Sequence, residues 1–179
     1  MLEFYAIMPN RFGGRNMFEV YVLVERQKSL IMKIVSILLL LVGAYFMYAT
    51  LVGLIIFFAV AVPFLAIGWV LFKRRIEYEY SYFDGDFRFA KIINKQKRKP
   101  LSGYVAENVV TIAPKGDRSL HQYENAMHMK TRDFTSGKKD AKVYAMVAKG
   151  EEGYQLTWFE PDDKYLDAVC IKYRQKVVR

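Results

Sequence analysis

The sequence has no aspartate, glutamate, lysine, arginine or histidine between Ile34 and Phe72, a run of 39 residues. All 18 acidic and 27 basic residues lie outside this run, and such segregation excludes an ordinary soluble globular protein. As one helix the run would extend about 58 Å, nearly twice the roughly 30 Å thickness of a hydrocarbon core. The composition therefore predicts two membrane-spanning helices, Leu30–Ala49 and Val52–Phe72, joined by a turn at Thr50–Gly53.

Cysteine is almost absent, and the short motifs of common hydrolases are missing. The single Cys170 excludes an intramolecular disulfide framework and a multi-cysteine zinc site. His121, Glu124 and His128 would share one face of a helix, so a membrane-bound metallohydrolase is one alternative function. H-E-x-x-H and G-x-S-x-G do not occur, and the segment has no clear helical pattern. We therefore expect solvated histidines, a non-enzymatic protein, and neither a cofactor nor a metal.

Basic residues flank the uncharged run on both sides, whereas the turn between the two predicted spans has no charge. The flanking residues are Arg26, Lys28 and Lys33 before the run, and Lys73, Arg74 and Arg75 after it. Loops rich in lysine and arginine stay on the cytoplasmic side of a membrane. Both chain termini are therefore predicted to lie in the cytoplasm.

The charge balance favours a negatively charged partner, since 27 basic and 18 acidic residues give a net charge of +9. Lys73–Pro100 alone contains nine basic and four acidic residues. Beside an anionic leaflet, each basic residue contributes about 1 kcal/mol of attraction. The candidate contacts with the membrane surface are Lys73, Arg74, Arg75, Lys95, Lys97, Arg98 and Lys99. These basic residues serve equally well to set the orientation of the spans in the membrane. Because the membrane tether already accounts for the positive charge, no nucleic-acid partner is expected.

The segment after the second span predicts an α+β domain that begins with a β-hairpin. Ile76, Tyr78, Tyr80 and Tyr82 alternate with polar residues, which is the period of a strand. Asp84-Gly85 predicts a type I′ turn, because both residues tolerate positive φ. A two-residue loop here pairs Tyr82 with Phe87, Tyr80 with Phe89 and Ile76 with Ile93, and it lets Glu79 reach Arg88 diagonally.

The rest of the domain is predicted as further strands closed by one helix. The expected elements are a basic linker at Asn94–Pro100, one or two strands within Tyr104–Ala113, a weakly helical segment in Pro114–Arg132, and a hairpin formed by Lys142–Lys149 and Tyr154–Glu160. Asp133–Lys138 resembles a phosphate loop only superficially, and a turn is favoured. Pro161 is expected to open the final helix, whose apolar stripe contains Leu166, Val169, Cys170 and Tyr173.

Two interpretations stay open for the N-terminal segment. Val20, Leu23 and Val24 fall at helical spacing, which suits an interfacial amphipathic helix, but the β-branched residues also fit a short strand. The first sixteen residues have no helical period, and Gly13–Met17 is what a translated ribosome-binding site would look like. Met17 as the native start and a genuine flexible leader are both consistent with this pattern.

The order of elements resembles that of bacterial pleckstrin-homology-like (PH-like) domains attached to short transmembrane hairpins. The resembling stretches are Glu77–Lys99, Asp133–Ala145 and Phe159–Val169, and they are most similar to a family of small two-span Firmicute membrane proteins with a domain of unknown function. The resemblance implies a PH-like antiparallel β domain with a C-terminal helix, located at the bacterial plasma membrane. It implies no catalytic residues.

Together these patterns predict three segments: an N-terminal cytoplasmic segment (1–28), a transmembrane helical hairpin (29–72) and a cytoplasmic PH-like domain (73–179). The expected function is a membrane-tethered binding or scaffold protein whose domain engages lipid headgroups or a protein partner. The partners are the lipid bilayer, including anionic headgroups, and an unidentified membrane or cytoplasmic protein. An accessory subunit of a membrane transporter complex is the second alternative.

Overall fold

The computed structural model describes residues 19–51, 53, 55–124, 129–150 and 153–179. It contains a helical hairpin, two four-stranded sheets and a C-terminal helix. The hypothesis that translation starts at Met17, and the nature of residues 1–16, lie outside the described residues.

The helical hairpin consists of α1 (Leu30–Leu51), a 3₁₀ turn (Ile55–Phe57) and α2 (Phe58–Lys73). Both arms are long and apolar enough to cross a membrane. The arms approach closely at two glycines, since a Cβ on Gly43 would lie 2.7 Å from Leu65 Cγ and one on Gly68 would lie 3.0 Å from Leu40 Cγ. The two predicted helices are confirmed, and small residues allow their contact.

The first sheet is antiparallel throughout and has the strand order β1-β2-β3-β4. Its strands are β1 (Val20–Glu25), β2 (Ile76–Phe83), β3 (Asp86–Ile93) and β4 (Lys97–Val105). Because β1 pairs with β2, the helical hairpin is an insertion between two neighbouring strands. The helical interpretation of residues 20–24 is therefore wrong, and the strand alternative is confirmed. Pairing with β2 stabilises the strand, because it places Val20, Val22 and Val24 on the face that packs against the core.

The β2–β3 hairpin has the predicted register. Tyr82 pairs with Phe87 and Tyr80 with Phe89. Asp84 and Gly85 have φ angles of 44° and 101°, as a type I′ turn requires. Alternating aromatic residues and the Asp-Gly turn therefore determine this part of the fold locally.

The predicted basic linker at Asn94–Pro100 is wrong, because only its first residues form a turn and β4 begins at Lys97. Pro100 is tolerated because β4 is the edge strand of its sheet. The predicted contact between Glu79 and Arg88 is also wrong. Arg88 pairs with Asp86 at 3.1 Å, and Glu79 instead pairs with Arg98 across the intervening strand.

The second sheet has the order β5-β7-β8-β6 and includes one parallel pair, β6 with β8. Its strands are β5 (Val109–Pro114), β6 (Lys130–Asp133), β7 (Tyr144–Gly150) and β8 (Gly153–Phe159). The predicted hairpin of the last two strands is confirmed. The segment predicted as weakly helical, Pro114–Arg132, contains a 3₁₀ turn (Arg118–Leu120) and the short α3 (His121–Glu124), and it ends within β6.

The main core lies between the two sheets and is rich in aromatic rings. Tyr80 and Phe89 of the first sheet contact Phe159 of the second, with ring centroids 5.7 Å and 5.6 Å apart. A smaller cluster on the opposite face of the second sheet includes Leu120 and Leu156. Edge-to-face rings of this kind stabilise a core beyond their buried area.

Helix α4 (Asp163–Tyr173) closes one side of the core with Tyr165, Leu166 and Val169, all buried. Cys170 is half-buried on the predicted stripe. The helix begins later than predicted, because Asp162 is its N-cap and accepts a hydrogen bond from the Tyr165 backbone N–H at 2.8 Å. Pro161 therefore precedes the cap instead of occupying the first turn.

Two buried tyrosines of this core should respond differently to replacement by phenylalanine. The Tyr80 hydroxyl donates a hydrogen bond to the Phe134 carbonyl, whereas no protein group in the described part of the chain bonds the Tyr165 hydroxyl. Burial raises the pKa of both side chains, so both stay neutral at physiological pH. We expect Tyr80→Phe to lower the free energy of unfolding by about 1 kcal/mol and Tyr165→Phe to leave it unchanged or raise it. Thermal unfolding in an uncharged detergent measures both, and a larger loss for Tyr165→Phe would contradict the prediction.

Candidate functional site

Three connecting segments meet at the end of the first sheet that adjoins the helical hairpin. They are residues 26–29 between β1 and α1, residues 74–75 between α2 and β2, and residues 94–96 between β3 and β4. The Asn94 backbone N–H donates to the Arg75 carbonyl at 2.9 Å, and the Arg75 N–H donates to Asn94 Oδ1 at 2.9 Å. This reciprocal pair holds the β3–β4 turn against the base of α2. We call the surface formed by Lys73, Arg74, Arg75, Lys95, Lys97 and Lys99 the basic connector face.

Lys73, Arg74 and Arg75 lie at the end of α2 and in the connector to β2, and Lys95 lies in the turn that Asn94 holds against Arg75. The Lys73 ammonium lies 4.6 Å from the ring centroid of Trp69, so it stays close to the end of α2. Lys95 has a φ of 58°, a left-handed conformation in which lysine is uncommon. The turn therefore places a cation at the tip, where Asn or Gly would be the residues that a type I′ turn favours.

The remaining predicted residues lie on β4, where successive side chains point to opposite faces of the sheet. Lys97 and Lys99 are exposed and share the face of Lys91, since Lys99 pairs directly with Lys91. Arg98 points to the opposite face and is paired with Glu79. Burial raises the pKa of Glu79, while Arg98 acts against that rise. Arg98 therefore has a partner within the sheet and differs from the other six predicted residues.

Two further cations lie at the same end but are held by the fold. The Arg26 side chain lies 3.8 Å from Asp133 and also bonds the Tyr78 hydroxyl. The Lys28 ammonium bonds the Phe72 carbonyl at the end of the other helix. Arg26 therefore ties the β1–α1 connector to the domain, and Lys28 ties the same connector to the end of α2.

The segment between β6 and β7 is attached to the base of the hairpin. The Gln27 N–H donates to the Ser136 carbonyl at 2.7 Å. Ser136 is itself buried, and its N–H and hydroxyl both bond Glu160 Oε1, at 2.7 Å and 2.9 Å. This is the turn predicted for Asp133–Lys138. Sequence reasoning did not place this segment near the hairpin, because it lies more than 100 residues from Gln27 in the chain.

The histidine arrangement of the metallohydrolase alternative is only partly described. His121 lies in α3 and is exposed, whereas His128 lies outside the described residues. Among the described residues, no group of three or more histidine, cysteine, aspartate or glutamate side chains has the geometry to hold a metal ion.

Two face-to-face sheets closed by a C-terminal helix form a PH-like domain, here interrupted by a helical hairpin after its first strand. A family model described as "Bacterial PH-like domain (DUF6106)" matches residues 18–179, and the chain belongs to this family. The match includes β1 and the hairpin as well as the later strands. No curated protein and no solved structure shows a significant match to the chain.

Proposed function

We propose that the chain is a non-enzymatic, membrane-tethered binding protein whose PH-like domain holds its basic connector face against anionic lipid headgroups. The observation that carries this proposal is the insertion of the hairpin between β1 and β2. Both helices leave the domain at one end of one sheet, and the exposed cations Arg74, Arg75, Lys95, Lys97 and Lys99 collect at that end. In a scaffold role, the domain would instead bind a protein partner at the same distance from the membrane.

The connectors are too short to let the domain move far from the bilayer. Four residues join β1 to α1, and two residues join α2 to β2. At no more than about 3.6 Å per residue, the shorter connector spans roughly 10 Å including its end bonds. The basic connector face therefore stays within about one Debye length of the leaflet, where each cation contributes about 1 kcal/mol.

The proposed location is the bacterial plasma membrane, with two spans and the domain in the cytoplasm. The large apolar side chains of α1 and α2 are exposed along the hairpin, which suits contact with lipid. Basic residues occur at the domain end of the hairpin and not at its turn, as the positive-inside rule requires for this orientation.

Lysine acylation, read by mass spectrometry, tests the proposal on the full chain in nanodiscs. In discs that contain phosphatidylglycerol, we expect Lys95, Lys97 and Lys99 to react about threefold or more slowly than in phosphatidylcholine discs, because headgroup phosphates shield them. The matched control is Lys149, which is exposed near the end of β7 and does not belong to the basic connector face. Its acylation rate should be the same in both types of disc. Salt at about 1 M should remove the protection, since it shortens the Debye length to about 3 Å.

Two results would count against the proposal. Equal acylation in both types of disc would exclude headgroup contact by this face. In intact cells a membrane-impermeant reagent should leave all these lysines unmodified, and modification from outside would contradict the cytoplasmic orientation.

A further inference from the structure

A second basic site lies on the other sheet, in a cleft between the end of β5 and the segment that precedes β7. The cleft has a volume of about 580 Å³. Its lining consists of Pro114, Lys115, Lys138, Lys139, Ala141, Lys142, Val143 and Tyr144. We call this the four-lysine cleft. None of these residues belongs to the basic connector face.

The two walls of the cleft are fixed to one another by the backbone. The Lys115 N–H donates to the Val143 carbonyl at 2.9 Å, and Pro114 pairs with Tyr144 at the end of the β5–β7 ladder. The Lys138 N–H donates to the Ser136 hydroxyl at 3.1 Å, so the far wall is anchored to a buried residue. The cleft therefore has a defined shape set by strand pairing and a capped turn.

The cleft has a net positive charge, although Asp140 lies between two of its lining residues, Lys139 and Ala141. Its lining contains four lysines and no acidic residue, and no carboxylate in the described ranges forms an ion pair with Lys115, Lys138, Lys139 or Lys142. The Lys115 ammonium lies 5.7 Å from the ring centroid of Trp158. Four cations around one concave surface repel each other and create a positive potential that attracts anions of high charge.

We propose that the four-lysine cleft binds a polyvalent phosphate-bearing anion. Lysine is a flexible point charge with three donors, which suits phosphate oxygens at variable positions. Pro114, Ala141 and Val143 give the cleft an apolar part next to its cations, which suits the carbon skeleton of a phosphate ester. This site does not depend on contact of the basic connector face with lipid.

The phosphate can belong to a lipid headgroup or to a soluble molecule. Gln27 lies three residues before α1 and bonds Ser136, which in turn lies two residues before Lys138. The cleft is therefore within roughly 25 Å of the start of the hairpin, using about 3.6 Å per residue. At that distance the cleft can bind either the phosphate of a lipid headgroup or that of a soluble molecule.

Titration calorimetry of the full chain in an uncharged detergent, with inorganic tripolyphosphate as the probe, tests the cleft. We expect saturable binding that Lys139→Gln/Lys142→Gln weakens at least tenfold. The control Lys95→Gln/Lys97→Gln removes the same charge from the basic connector face and should leave this binding within twofold. All four lysines are exposed, and none of them forms an ion pair within the described ranges, so both double variants should unfold at the wild-type temperature.

The outcomes separate the cleft from the proposed function. Loss of tripolyphosphate binding in the cleft variant alone supports the cleft, and protection of Lys139 and Lys142 from acylation in phosphatidylglycerol nanodiscs then identifies the headgroup as the source. Unchanged acylation there identifies a soluble phosphate. No saturable binding, or equal weakening in both double variants, would overturn the inference whatever the acylation of Lys95 and Lys97 shows.

Discussion

Val22→Lys should lower the free energy of unfolding of the PH-like domain by about 2–4 kcal/mol. Val22 lies in β1, pairs with Tyr80 and packs against the main core. A lysine at this position loses the apolar contact of a half-buried side chain, worth up to about 3 kcal/mol, and brings an ammonium group next to aromatic rings that offer it little solvation. Thermal unfolding of the full chain in an uncharged detergent, followed by near-ultraviolet circular dichroism, measures the loss.

Leu23→Lys is the matched control, because the next residue of a strand points to the opposite face. Leu23 is 49% exposed and lies directly across from Glu79. A lysine there gains an opposite charge as its neighbour, so the stability should change by no more than about 0.5 kcal/mol. Equal losses at the two positions would mean that β1 is not in the register described.

Gly85→Val should destabilise the same domain by about 2–4 kcal/mol through two separate effects. Gly85 has a φ of 101°, a conformation that costs a β-branched residue about 1–3 kcal/mol. A Cβ at this position would also lie 3.0 Å from the Tyr173 hydroxyl oxygen and 3.7 Å from the Ala106 Cβ. The β2–β3 turn is therefore also the site where the end of α4 contacts the first sheet.

The comparison with Gly116→Val separates these effects. Gly116 has a φ of 87°, but a Cβ there would meet nothing within 4 Å. Its replacement carries only the backbone cost, and the difference between the two variants gives the contribution of the contact with Tyr173. Lys97→Ala, at an exposed position, should be nearly neutral. Denaturation midpoints measured under one condition give all three values, and a Gly116→Val loss larger than that of Gly85→Val would contradict this account.

The elements that sequence reasoning predicted are those determined by neighbouring residues. The two helices follow from a charge-free run, and the β2–β3 register follows from alternating aromatic residues around Asp84-Gly85. β1 was ambiguous because six residues satisfy both a helical and a strand period, and its partner lies more than 50 residues away. β4 was missed because Pro100 and its lysines favour a linker, while pairing with β3 overrides that preference.

The same distinction applies to the candidate sites. Lys73, Arg74 and Arg75 directly follow a span, so their position beside it was predictable from charge counting, whereas Lys95 returns to the same end only through the pairing of β2 with β3. The four-lysine cleft joins Lys115 to residues more than 20 positions later, and only the pairing of β5 with β7 brings them together. Charge counting along the chain has no means of detecting such a site.

The insertion of the hairpin between two paired strands has a consequence for biosynthesis. β1 leaves the ribosome before either helix, and β2 follows only after both. If the helices cross the bilayer as proposed, β1 and β2 can pair only in a chain whose second helix has returned to the side of the first strand. A chain inserted by one helix alone would leave the two strands in different compartments and its aromatic core open to quality-control proteases. With the proposed topology, closure of the first sheet would act as a checkpoint that makes a folded domain conditional on complete membrane insertion.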